Sequence, residues 1–179
     1  FAGDTTVSVD TEVSPDGSTT ADVLVPTTDN LSHGTSNYSV TYTPDTTYAF
    51  SFYAKPSGYN FIQITLRTND QAVLGLMFDI ASGAVLGGAL DGKIEEAGNG
   101  WYRCSISGNN TVTSTSKLSL IRGVENGYIY IYGAQLEQNS YPTSYIKTIG
   151  TAQTRVADTA SGAGNSTVIN SSEGVLYLY

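Results

Sequence analysis

With 179 residues, 40% of them hydrophobic and 11% aromatic, the chain can bury a core without covalent staples, which excludes a disordered polymer. Charged residues are only 13% and the formal net charge is −8. The clustered Lys and Arg that phosphates need are therefore missing, which excludes a nucleic-acid partner and docking on an anionic membrane.

Ser, Thr, Asn and Gly replace the usual charged surface, a composition that suits strands and turns better than helices. In chain order, residues 5–9 form a first short strand. Ser14-Pro15-Asp16-Gly17 is a turn, in which Pro fixes one φ and Gly accepts a positive one. Residues 21–25 follow as a strand ended by Pro26, then a polar loop over 27–35 that carries the lone histidine, His33, read as a solvated loop residue. Tyr38, Val40 and Tyr42 alternate along the next strand, and Pro44-Asp45 turns the chain.

Residues 48–55 predict a strong strand, with Tyr48, Phe50 and Phe52 on one face and Ala49, Ser51 and Tyr53 on the other. Pro56-Ser57-Gly58 reads as the next turn. Residues 60–68 alternate Ile62, Ile64 and Leu66 against Phe61, Gln63, Thr65 and Arg67. Residues 73–79 form an apolar strand broken by Ala81-Ser82-Gly83. Residues 93–96 form a short strand, in which the adjacent Glu95 and Glu96 face opposite ways and do not cooperate as a carboxylate pair.

Asn99-Gly100 is a hairpin signal. It leads into the strand over 101–107, where Cys104 is read as a small buried hydrophobe. Strands over 118–122 and 128–135 follow, and 142–148 reads as extended. About ten short strands at this spacing, with no convincing helix, predict an all-β sandwich or barrel. One cysteine leaves no internal disulfide, and no run of about 18 apolar residues supports membrane insertion by a helix. We read 1–150 as the sandwich domain. Residues 151–179, small and polar to about Ser172, read as a linker or edge segment, or the start of a following domain. The chain opens at Phe1 and closes on Leu176-Tyr177-Leu178-Tyr179, and we read it as a piece of a longer protein.

Four blocks in series then resemble a jelly-roll domain of phage tail, fibre and spike proteins, similar to carbohydrate-binding modules and galactose-binding-like domains. They are Ser14-Pro15-Asp16-Gly17-Ser18-Thr19-Thr20-Ala21-Asp22, Tyr48-Ala49-Phe50-Ser51-Phe52-Tyr53-Ala54-Lys55, Gly98-Asn99-Gly100-Trp101-Tyr102-Arg103-Cys104-Ser105 and Tyr132-Gly133-Ala134-Gln135-Leu136-Glu137-Gln138. The last continues in Tyr141-Pro142-Thr143-Ser144-Tyr145-Ile146, and Thr154-Arg155-Val156-Ala157-Asp158 is similar to the family's exit. Ser172-Glu173-Gly174-Val175-Leu176-Tyr177 resembles the start of a lectin-like domain.

The resemblance implies a jelly-roll β-sandwich at the virion surface or outside the cell, other virion proteins as partners, and a homotrimer by analogy with phage fibres. It implies a non-catalytic module that binds surface glycans in host adsorption, with Trp101 in the core rather than at the ligand. The alternatives are a structural trimeric spacer or decoration domain, and an accessory carbohydrate-binding module of a secreted polysaccharide-degrading enzyme. Sugar rings stack their C–H faces on aromatic rings while amides and charged groups take the hydroxyls. Glycan candidates on that chemistry are Tyr59, Phe61, Gln63, Arg67, Tyr128 and Tyr130, with Tyr53 and Tyr132 beside them. Phe61, Gln63 and Arg67 share one strand face, which reads equally as a binding strip or as packing. No cofactor is expected. Related jelly rolls often hold a structural calcium ion beside their first and last strands. Asp10, Glu12, Asp16, Asp22 and Glu137 supply oxygens that read either as its ligands or as solvated turn carboxylates.

Overall fold

Period-two alternation broken by turn residues produces strand after strand. The computed structural model describes residues 2–3, 5–26, 34–35, 40–41, 43–68, 71–87, 91–110, 115–119, 127–148, 151 and 153–154. His33 and most of 151–179 lie outside the described residues. Thirteen strands are present among the described residues. They are β1 (Ala2–Gly3), β2 (Thr5–Val13), β3 (Thr19–Pro26), β4 (Gly34–Thr35), β5 (Val40–Thr41), β6 (Thr46–Ser57) and β7 (Phe61–Thr68), then β8 (Gln71–Asp79), β9 (Ala84–Leu86), β10 (Asp91–Gly98), β11 (Trp101–Asn110), β12 (Thr115–Ser119) and β13 (Tyr128–Glu137). No helix occurs among the described residues.

Six strands pair in the order β10-β11-β6-β13-β3-β2 and five in the order β5-β12-β7-β8-β9, while β1 and β4 form a separate two-stranded ladder. Every strand pair is antiparallel. The chain is an all-β, two-sheet sandwich. It divides into two compact units, Phe1–Tyr145 and Ile146–Tyr179, and both large sheets belong to the first.

The core lies between the sheets. Phe50, Phe52 and Ala54 of β6, Cys104 and Ile106 of β11, Ile129 of β13 and Leu24 of β3 meet Ile62 and Ile64 of β7 and Leu76 and Phe78 of β8. Each fully buried large side chain contributes about 1.5–3 kcal/mol relative to exposure. Gly92 of β10 makes room for one of them, because a Cβ there would sit 1.7 Å from Leu76 Cδ2. Burial pushes the Cys104 thiol far up, so it behaves as a small apolar residue.

Two predicted boundaries shift for physical reasons, and the turn predicted after β8 leads into a further short strand. Pro56 and Ser57 belong to β6 rather than to a turn. The β11 ladder ends at Ala54, so Pro56 has only β13 beside it, an edge setting that tolerates a residue without an N–H. After β8, Asp79 accepts from the backbone N–H groups of Ala81 (2.9 Å) and Ser82 (3.2 Å) and from the Ser82 hydroxyl (2.6 Å), closing a turn that returns the chain as β9. Those bonds, chiefly the one from the Ser82 hydroxyl, hold the Asp79 carboxyl below its usual range. The strand predicted over 118–122 begins earlier, at Thr115, and its residues beyond Ser119 lie outside the described set.

Candidate functional site

The outward face of the six-stranded sheet is covered at both ends. In β6, Tyr53 and Lys55 point away from the core, opposite Tyr132 and Tyr130 of β13. In β11, Trp101, Arg103, Ser105 and Ser107 point the same way. In the strand order β2 lies four strands from β11, about 19 Å in a flat sheet at ~4.8 Å per strand. Yet Trp101 Nε1 donates to the Val13 carbonyl at 3.1 Å, and Lys55 Nζ reaches Glu12 Oε1 at 3.0 Å. The sheet therefore curls, and the β2–β3 hairpin end folds over its outward face. A bulge in β2, with Asp10 at φ 54°, supplies the bend. Trp101 is 2% exposed, buried under this overhang rather than between the sheets.

The turn that leads the overhang is built on Asp16. It accepts from the hydroxyl of Ser14 (2.7 Å), from the backbone N–H and hydroxyl of Ser18, and from the Tyr132 hydroxyl (2.8 Å). The Ser14 and Ser18 bonds, with the one from Tyr132, hold its carboxyl far below the usual range.

Residues 138–145 cover the other end. Glu137 accepts from the Thr143 N–H (2.9 Å), the Thr143 hydroxyl and Gln135 Nε2 (2.8 Å). Burial raises the Glu137 carboxyl, but these bonds and the nearby Arg103 charge outweigh it, and the net shift is downward. Arg103 Nη2 donates to Ser51 Oγ (3.0 Å) and to the Thr143 carbonyl, with its guanidinium 5.7 Å from the centre of the Tyr53 ring. Tyr145 ends the strap against Tyr53 (6.3 Å between centroids) and Tyr132 (5.2 Å).

Where this strap passes the β10–β11 edge it leaves a groove of about 320 Å³. Asp91 and Lys93 of β10, Ser105 and Ser107 of β11, and Ser140, Tyr141 and Pro142 of the strap line it. Tyr141 is 64% exposed, a large ring on the rim with little of its surface covered. Isolated exposed apolar residues are ordinary on a surface; an exposed ring above a concave floor of hydroxyls and charges is a ligand-site pattern.

The residues proposed from the sequence do not converge. Tyr59 is 1% exposed and belongs to the core cluster, so it leaves the candidate set. Phe61, Gln63 and Arg67 occupy outward register positions on β7 of the five-stranded sheet, where Phe61 stands opposite Asp79 and Gln63 opposite Met77. Phe61 and Gln63 are half-buried there, and the Arg67 side chain lies outside what is described. Tyr128 and Tyr130 lie on the other sheet, their rings edge to face at 5.3 Å. The Tyr128 hydrogen bond and burial push the Tyr130 hydroxyl up to about 12. The strip and the tyrosine pair therefore belong to two different sheets.

The five proposed calcium ligands are dispersed as well. Asp10 offers its backbone N–H to Asp22 (3.1 Å), Glu12 pairs with Lys55, Asp16 closes its own turn, and Glu137 ties down the strap. Among the described residues no three His, Cys, Asp or Glu side chains are grouped so that they could hold a metal ion. The carboxylates of Asp16, Asp22 and Glu137 accept hydrogen bonds and that of Glu12 balances Lys55 instead.

Sequence reasoning missed Tyr141 as a site residue. It follows no alternation, and the bonds of Glu137 and Arg103 to Thr143 bring its segment to the β10–β11 edge. Compared with protein-family models and with curated proteins, the chain matches none.

Proposed function

We propose that this sandwich is a non-catalytic glycan-binding module, a jelly-roll domain of a phage fibre, spike or tail protein that touches host surface saccharides. The observation that carries the reading is the Tyr141 groove: an exposed ring stacks on the C–H face of a sugar, while Asp91, Lys93, Ser107 and Ser140 supply donors and acceptors for its hydroxyls. The ion pair of Lys93 with Glu95 at 2.7 Å is exposed and weak enough to yield to a ligand. The resemblance in the sequence blocks supports the same class. Tyr141→Ala removes the ring without touching the core. Binding to saccharides identified on a glycan array should fall at least about tenfold, ~1.4 kcal/mol, with the melting temperature unchanged. Undiminished binding would remove the groove from the account.

A second reading, a structural spacer that assembles through sheet edges, is favoured by β2. Val7 and Val9 are 39% and 68% exposed, and residues 5–9 carry no charge, whereas the opposite edge strand β10 carries Asp91, Lys93, Glu95 and Glu96. Bare edges invite strand pairing and charged edges resist it. A concentration-dependent oligomer in sedimentation, lost when Val9 is replaced by Lys, would support the spacer.

A further inference from the structure

β3 and β13 pair only from Leu24↔Ile129 to Asp22↔Ile131. Beyond that point β3 follows β2 into the overhang while β13 stays with β6. The parting opens a slot of about 230 Å³ between them. Its lining includes Phe52, Ile131 and the bulge at Gly133, together with the Tyr132 and Tyr145 rings, which meet at 60°.

Asp22 also lines this slot. It stands opposite Ile131, on the core-side register of β3 that Leu24 also occupies. Asp22 is half-buried there, so its carboxylate stays open to a solute that enters the slot. Asp22 Oδ1 accepts the Asp10 N–H at 3.1 Å. Both ion pairs among the described residues, Lys55 with Glu12 and Lys93 with Glu95, use other acids. A slot lined by both a carboxylate and aromatic rings is the environment in which an alkylated ammonium group is held, by charge and by the negative faces of the rings.

We propose that the slot binds a small organic cation, an alkylated ammonium head, with Asp22 as its counter-ion and Tyr132 and Tyr145 as its walls. The slot shares no lining residue with the Tyr141 groove, so this site does not depend on the glycan reading. The shared chemistry has two sources: a choline-type head on a surface polymer or lipid, or a methylated lysine side chain.

The test is an amide NMR titration of the whole chain with tetramethylammonium, then with choline and with Nε-trimethyllysine amide. The neutral carbon isostere of choline, 3,3-dimethylbutanol, serves as the control. Saturable shifts at Asp22, Gly133 and Ala134 are expected with the cations, and the isostere should bind at least tenfold more weakly. Whichever of choline and trimethyllysine binds more tightly names the source. Asp22→Asn keeps the oxygen that accepts the Asp10 N–H, so its melting temperature should stay unchanged while cation affinity falls at least tenfold. Tyr145→Leu should weaken binding with the carboxylate in place. Absence of saturable shifts at these amides, equal binding of the isostere, or full affinity in Asp22→Asn would each overturn the proposal.

Discussion

Trp101 shows how one side chain can hold a sheet in a curl. Its ring fills the space beneath the β2–β3 overhang, and its Nε1 reaches Val13 on a strand four places away. The two contributions separate by substitution. Trp101→Phe keeps most of the ring but leaves the Val13 carbonyl without its donor, a loss of about 1–3 kcal/mol. Trp101→Ala also leaves a cavity and should cost about 3–5 kcal/mol. Urea midpoints for the pair check this ordering; equal losses would mean that the ring carries nothing beyond its hydrogen bond. The resemblance of its sequence block makes Trp101 legible as a core residue, but not as one buried on the outward face. That depends on the curl, which only the bulge at Asp10 reveals.

At the scale of elements, alternation places the core well. Phe50 and Phe52 of β6 and Ile62 and Ile64 of β7 face inward as their spacing requires. Turn chemistry is equally readable: Asn99 and Gly100 both take positive φ, 52° and 79°, in the tight connection from β10 to β11. The bulge in β13 is not readable. Between Tyr132 and Gln135 the register slips against β6, and Gly133 takes φ 61°. The slip keeps Tyr132 outward before the bulge and Gln135 and Glu137 outward after it, so one strand serves both the overhang and the strap. In Gly133→Ala the new Cβ would meet the Tyr145 ring at 3.0 Å in a left-handed backbone. A loss of about 1–2 kcal/mol is expected from the backbone alone, with altered shifts of the Tyr145 ring. Wild-type stability and an unmoved ring would contradict the close approach.

For the whole sandwich domain, the two coverings of the outward face are tied down by acids, which makes their docking pH-dependent. Asp16 and Glu137 both have folded-state values lowered from their ordinary 3.8 and 4.5. The unfolded chain therefore takes up protons first as pH falls. The stabilisation is fully present above those ordinary values and is lost progressively below them, as pH drops toward the lower folded values. Stability measured by urea unfolding should decline below pH 4.5, and the double variant Asp16→Asn, Glu137→Gln should show a shallower decline over the same range. Parallel curves for the two proteins would place the acid sensitivity elsewhere.

Two sheets and their core follow from the period-two pattern, but the Tyr141 groove does not. It exists because residues 138–145, which pair with no strand, are fastened across the sheet by Glu137 and Arg103. The candidates Phe61, Gln63, Tyr128 and Tyr130 lie on strand faces, and strand faces alone do not say which side another segment will cover.

The most direct test is an amide chemical-shift map of the chain with a saccharide selected from a glycan array. Saturable shifts should gather at 91–93, 105–107 and 140–142, with the sugar recovered intact. Shifts confined to β7 around Phe61 and Gln63, or cleavage of the saccharide, would contradict a binding module that works through the Tyr141 groove.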